Sequence, residues 1–118
     1  HIFKYNKPFE LESGEILPGL QIYYSTLGKY DPAKNNVIWI CHALTANSDV
    51  ASWWEGMVGE KMFFDPSRHF IVCAAIIGSC YGSTGPKDIN PKTKKPYFLN
   101  FPLVTIRDMV RAHILLRE

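Results

Sequence analysis

Two short stretches concentrate the residue types that do chemistry. "CHALTAN", residues 41 to 47, sets a thiol, an imidazole, a hydroxyl and a carboxamide directly behind the apolar run "VIWI". "IGSCYGSTGPKDINP", residues 77 to 91, joins three glycines to Ser79, Cys80, Ser83 and Thr84 behind a second apolar run. The first could supply a general base, a thiolate or free backbone N–H groups for a developing negative charge. The second could cradle a phosphate or carry a nucleophilic serine.

Most of these readings fail on spacing. His42 could be a general base, but it follows the strand directly and the sequence shows no partner for it. It reads as a structural histidine bonded to nearby backbone. A Cys41–His42 nucleophile pair fails because adjacent strand residues point to opposite faces, and Cys41 reads as core. What survives is the backbone. A buried strand that ends in a loop without proline leaves N–H groups free to converge on an oxyanion, worth several kcal/mol of barrier.

In the second stretch a Walker A loop starting at Gly78 needs glycine where Ser83 stands, and no G-x-G-x-x-G follows either. Ser79 and Ser83 each directly follow a glycine, so neither sits in a G-x-S-x-G elbow, and both read as turn residues. The histidines at 1, 42, 69 and 113 show no ligand spacing, so no metal site is expected. His113 falls on or near an apolar helix stripe and reads as packed or partly buried.

The elements that must position these residues follow from the apolar pattern. "ILPGLQIYYSTLGKY" predicts a hairpin or two short antiparallel strands, with 20–27 the stronger, whereas residues 1–15 carry little periodic signal. "VIWIC" and "HFIVCAAII" (69–77) read as strands covered on both faces. "SWWEGMVG" (52–59) predicts a short helix ended by Gly59. Residues 78–102 read as loop, whose aromatics Tyr81, Tyr97, Phe98 and Phe101 need somewhere to pack. "TIRDMVRAHILLRE" predicts a helix capped by Thr105, with Asp108 in its first turn and Ile106, Met109, Val110 and Ile114 on one apolar stripe. Arg107 and Arg111 lie off that stripe. Strand, loop, helix, strand, loop, helix is the grammar of an α/β sheet with parallel strands, in which ligands sit at the carboxyl ends of strands.

Bulk properties narrow the function classes. The 118 residues are 47% hydrophobic and 20% charged, with a net charge of +2. That balance gives no field for polyanions, and Lys92, Lys94 and Lys95 in "NPKTKKP" read as a solvated turn rather than a nucleic-acid patch. No nucleic-acid or membrane partner is expected: no signal peptide is visible and no apolar run approaches a membrane span. Cys41, Cys73 and Cys80 are odd in number without a C-x-x-C pair, which fits free thiols in a reducing, cytoplasmic setting. The chain starts at His1 rather than Met, as a tag remnant or trimmed terminus would.

"CHALTAN", "SWWEGMVG", "DPSRHFIVC", "GSCYGSTGP", "INPKTKKPY" and "FPLVTIRDMVRAHILL" stand in the order and spacing of homoserine O-acetyltransferases, members of the α/β-hydrolase superfamily. The resemblance runs from about Leu20 to Glu118. It implies the N-terminal part of an α/β-hydrolase fold, with antiparallel first strands, then parallel strands with helices, in an incomplete sheet. It also implies acetyl transfer from acetyl-CoA, as co-substrate, to the hydroxyl of L-homoserine, towards methionine. An elbow serine activated by a His–Asp pair carries the acetyl group between two half-reactions. One oxyanion donor is the N–H after that serine; the other, from the loop after the third strand, falls on Leu44, with Thr45 the neighbouring alternative.

The resemblance also sets limits. The family's elbow serine, Asp and His lie downstream of the matching segment, as do the lid helices that form its homodimer. Residues 1–118 are therefore expected to be the N-terminal portion of one α/β-hydrolase domain, inactive alone. Ala75 stands where the family usually has asparagine, which leaves the hydrogen bonding beside that strand open. The loop between "HALTAN" and "WW" is shorter than in many relatives. The family's strand order places "VIWIC" between "HFIVC" and the missing elbow strand, leaving an unpaired apolar edge. Alternatives are a relative using another donor or acceptor, such as succinyl-CoA or serine, a non-catalytic partner-binding half-domain, or an ester-cleaving hydrolase.

Overall fold

Pro18 and Gly19 decide how the first strands pair. A Cβ at Gly19 would lie 2.9 Å from the Tyr5 carbonyl oxygen, so only glycine admits that close a backbone. The chain therefore turns there from one antiparallel pair to another. The computed structural model describes all residues 1–118, and contacts divide them into two units.

The first unit comprises His1 and Tyr24–Ala74, the second Ile2–Tyr23 and Ala75–Glu118. In the second, β1 (Ile2–Tyr5) pairs antiparallel with the first half of β4 (Leu20–Leu27), from Ile2 opposite Tyr23 to Tyr5 opposite Leu20. β2 (Phe9–Glu10) pairs with β3 (Ile16–Leu17). The 20–27 strand is thus as expected, but its hairpin is not. Ile16–Leu17 pairs back onto residues 9–10, and the stretch 1–15 contains two strands too short to show a period.

In the first unit, the second half of β4 pairs antiparallel with β6 (Phe70–Ala74), and β5 (Val37–Ile40) pairs parallel with β6 in the register Ile40 opposite Cys73. β6 is the better covered of the parallel strands, with Ile71 to Ala74 all buried. β5 is an edge strand, as the family order anticipates, and it is not covered on both faces. Val37 is 46% exposed and only Ile40 is buried. Cys41, read as core, is exposed: the strand ends on buried Ile40, and side-chain alternation turns the next residue outward. The core of this unit is Ile40, Val50, Val58, Ile71 and Cys73, with Leu27, Ile38, Trp53, Met57 and Phe64 packed against it.

α1 is one turn, Val50–Trp53, rather than a helix running to Gly59. The chain beyond it is held by short turns instead, among them Met57 N–H to Trp54 C=O and Met62 N–H to Gly59 C=O. In the second unit the 78–102 loop is interrupted by a 3₁₀ turn at Phe98–Asn100. Its aromatics divide: Tyr97 is buried edge-on to Phe101, while Tyr81 and Phe98 are exposed.

α2 (Ile106–Arg117) has the expected cap, with the Thr105 hydroxyl accepting the Asp108 N–H and the Asp108 carboxylate accepting the Thr105 N–H. Its buried face is not the predicted one. Ile106, Val110 and Ile114 are exposed, while Asp108 and Ala112 are fully buried. The face turned inward carries Asp108 and Ala112, and the apolar stripe faces out of residues 1–118. His113 is half-buried, as expected.

Candidate oxyanion turn and glycine loop

The segment after β5 is a β-turn. Ala43 to Ala46 is closed by the Ala46 N–H donating to the Ala43 carbonyl at 2.9 Å, which puts Leu44 and Thr45 at the two central positions. The same carbonyl accepts from His42 Nδ1 at 2.8 Å. His42 is therefore the backbone-bonded histidine its position suggested, and the bond keeps the proton of the neutral ring on Nδ1.

The far end of the turn is anchored through Asn47. Its carbonyl accepts the Trp53 indole N–H at 2.9 Å and lies 3.8 Å from the Cys73 thiol. Its side-chain oxygen accepts the Asp49 N–H at 2.7 Å, an Asx turn leading into α1. Ser48 beyond it is buried, 3.3 Å from the Ser25 hydroxyl. Burial, and then the neighbouring Cys41, push the Cys73 thiol up to about 11, so it stays protonated and is the donor to that carbonyl.

Leu44 and Thr45 themselves are outside this bonding. Neither N–H meets an acceptor within the chain, and Leu44 is 91% exposed. Two consecutive donors, held from both sides and spent on nothing internal, can donate to a negatively charged oxygen. The resemblance indicated Leu44 but not its anchors. Trp53 and Cys73 act on the turn through one carbonyl, and a side chain–backbone bond leaves no periodic signal.

The glycine loop belongs to the second unit, and the hydroxyls of Ser83 and Thr84 are engaged within it. Ser83 Oγ is buried, accepts the Tyr23 N–H at 3.0 Å and donates to the Ala75 carbonyl at 2.7 Å. Thr84 Oγ1 accepts the Gln21 N–H at 2.8 Å, and the Thr84 carbonyl takes the Gly78 N–H at 2.7 Å. Ser79 accepts only the Tyr81 N–H, at 3.4 Å. These are bonds of turn builders. They also account for Ala75, whose N–H donates to the Tyr23 carbonyl at 2.8 Å and whose C=O is met by Ser83. No asparagine side chain is needed to satisfy that backbone. No group of His, Cys, Asp and Glu could hold a metal ion, and no helix is long and apolar enough to cross a membrane.

No protein-family model matches the chain. Curated relatives do. Homoserine O-acetyltransferase of Chlorobaculum parvum is 55% identical over 116 residues, which is 98% of this chain and 33% of that protein. The enzyme of the same name from Nostoc punctiforme is 51% identical over 111 residues, 94% of this chain and 31% of the relative. The chain spans about a third of the length of the curated relatives it matches. Among solved structures, the homoserine O-acetyltransferase of Bacillus anthracis superposes with a TM-score of 0.86 at 30% identity, covering 98% of this chain and 35% of that one. A crystallised esterase superposes at 0.90 with 29% identity, covering 98% and 36%.

The parallel β5–β6 pair, the antiparallel strands before it and the turn at the end of β5 define this chain as an N-terminal part of an α/β-hydrolase fold. Esterases and acyltransferases share that scaffold. Within it, the sequence is similar over nearly its whole length to curated homoserine O-acetyltransferases.

Proposed function

We propose that residues 1–118 are the N-terminal portion of a longer acyltransferase that moves an acetyl group from acetyl-CoA to the hydroxyl of L-homoserine. The observation that carries this reading is identity of about half the residues, over nearly the whole chain, to enzymes of that name. Acetyl-CoA is then a co-substrate rather than a resident cofactor. The intact enzyme would act on small molecules, in the cytoplasm, as a homodimer.

In this reading the chain's contribution is electrostatic. When a nucleophile adds to the acetyl carbonyl, the carbonyl oxygen gains charge, and the Leu44 N–H donates to it, with Thr45 beside it. The free donors at 44 and 45 support that role. Loss of one such donor is worth about 3 to 4 kcal/mol of barrier in enzymes of this kind. The nucleophilic serine and its His–Asp pair come from polypeptide outside residues 1–118.

The test is an assay of the intact polypeptide with acetyl-CoA and L-homoserine. Release of free CoA that depends on homoserine, with O-acetylhomoserine as product, is the expected result. Homoserine-independent ester cleavage would favour the second reading, an esterase, whose support is the superposition of 0.90. Exchange of succinyl-CoA for acetyl-CoA, and of serine for homoserine, fixes donor and acceptor.

A further inference from the structure

We infer that Trp53 is a positioning residue for the oxyanion turn, acting through the Asn47 carbonyl; this rests on the proposed role of the Leu44 N–H. The turn is fixed at its start by β5 and by the two bonds to the Ala43 carbonyl. At its end it is fixed by Asn47, whose carbonyl meets the Trp53 indole at 2.9 Å, with the Cys73 thiol behind at 3.8 Å. The indole bond is the shorter and the stronger donor of the two.

Trp53 is itself immobilised. It packs against the core of Ile40, Val50, Val58, Ile71 and Cys73, and its ring stacks on Trp54 with centroids 5.5 Å apart and planes 13° from parallel. The position of Leu44 is thereby tied to the core rather than to the loop's own stiffness. Without the indole donor the turn keeps its internal closure and the Asn47–Asp49 bond but loses its direct tie to Trp53 and the core behind it. A displacement near 1 Å costs catalysis about a hundredfold. Trp54 gives an internal control, because its indole N–H donates to no group of the chain and a phenylalanine there keeps an aromatic ring against Trp53.

The experiment compares Trp53→Phe and Trp54→Phe in the intact polypeptide, with p-nitrophenyl acetate and with acetyl-CoA plus L-homoserine. Cleavage of the aryl ester uses the same oxyanion donors whichever acceptor the enzyme prefers. Trp53→Phe is expected to lower kcat for the aryl ester at least about tenfold with KM nearly unchanged, and Trp54→Phe to leave kcat near the parent value. If Trp53→Phe does not fold, Cys73→Ala removes the second donor, and the expected result is a smaller fall in kcat alone.

A folded Trp53→Phe protein with unchanged kcat overturns the inference. So does a rise confined to KM, an equal loss in Trp54→Phe, or an unchanged kcat in Cys73→Ala where that variant stands in. A parent protein that cleaves the aryl ester and is sensitive at Trp53, but does not acetylate homoserine, overturns the proposed substrate and leaves the positioning role intact. A parent inert toward both overturns both.

Discussion

The buried Asp108 carboxylate accepts the backbone N–H of Glu12 at 3.0 Å, joining the start of α2 to a segment 96 residues earlier. The same carboxylate takes the Thr105 N–H at 3.1 Å and Arg111 at 3.3 Å. The Glu12 side chain returns the contact, accepting from the Thr105 hydroxyl and from Arg107 at 2.6 Å. A fully buried charge is tolerable only with this many donors.

Asp108→Asn tests that anchor. Whichever way the amide turns, its NH₂ faces an N–H donor, either Glu12 and Arg111 or Thr105. Urea unfolding is expected to show a loss of about 2 kcal/mol, the scale of a hydrogen bond to a charged group. A loss within about 0.5 kcal/mol would mean that the capping box carries little of the helix's stability.

Acid should unfold the protein through the same groups. For Asp108 burial pushes the pKa up, but the hydrogen bonds from Thr105 and Glu12 and the Arg111 charge outweigh it and hold the carboxyl below its ordinary value. The Thr105 hydroxyl, and to a smaller degree Arg107, lower Glu12. Bonds from Ser67 and Lys61 lower Asp65. A carboxylate depressed in the folded state contributes stability above its unfolded pKa, about 4, and loses it as pH falls through the folded value. Stability followed by circular dichroism should therefore be flat above about pH 5 and decline below about pH 4, less steeply in Asp108→Asn.

Gly28 is the least replaceable of the turn glycines. Its φ is +80°, and a Cβ there would overlap the carbonyl oxygens of His69 and Pro66 just before β6. Gly56 has a similar φ of +81° but open space around it. Gly56→Ala should thus cost only the left-handed strain, about 1 kcal/mol, and Gly28→Ala about 3 kcal/mol or more. Equal melting temperatures for the two variants would contradict the close approach.

How much of this was legible in the sequence depended on how local each determinant is. β6 and the Thr105 cap were readable because a continuous apolar run and a residue type at a fixed offset are local signals. The face of α2 was not. Ile106, Val110 and Ile114 form a convincing stripe, yet the face turned inward within residues 1–118 carries Asp108, which reaches Glu12, a pairing no window of sequence contains. β5 misled for a related reason: its composition suits a strand covered on both faces, but coverage depends on neighbours, and only β6 pairs with it. Cys41 was misplaced because the run was read as covered on both faces, whereas alternation from buried Ile40 turns it outward. At the candidate site Leu44 was named from resemblance, and the structure adds what resemblance could not, the clamp from Trp53 and Cys73 through Asn47.

The most direct measurement of the central claim is kcat for acetyl transfer in the intact polypeptide carrying Leu44→Pro, beside Leu44→Ala. Proline removes the N–H at the first central position of the turn, a position it commonly occupies, whereas alanine removes only an exposed side chain. Leu44→Pro is expected to lose about two to three orders of magnitude in kcat with little change in KM, and Leu44→Ala to keep the parent rate. A folded Leu44→Pro enzyme with the parent kcat would contradict the central claim.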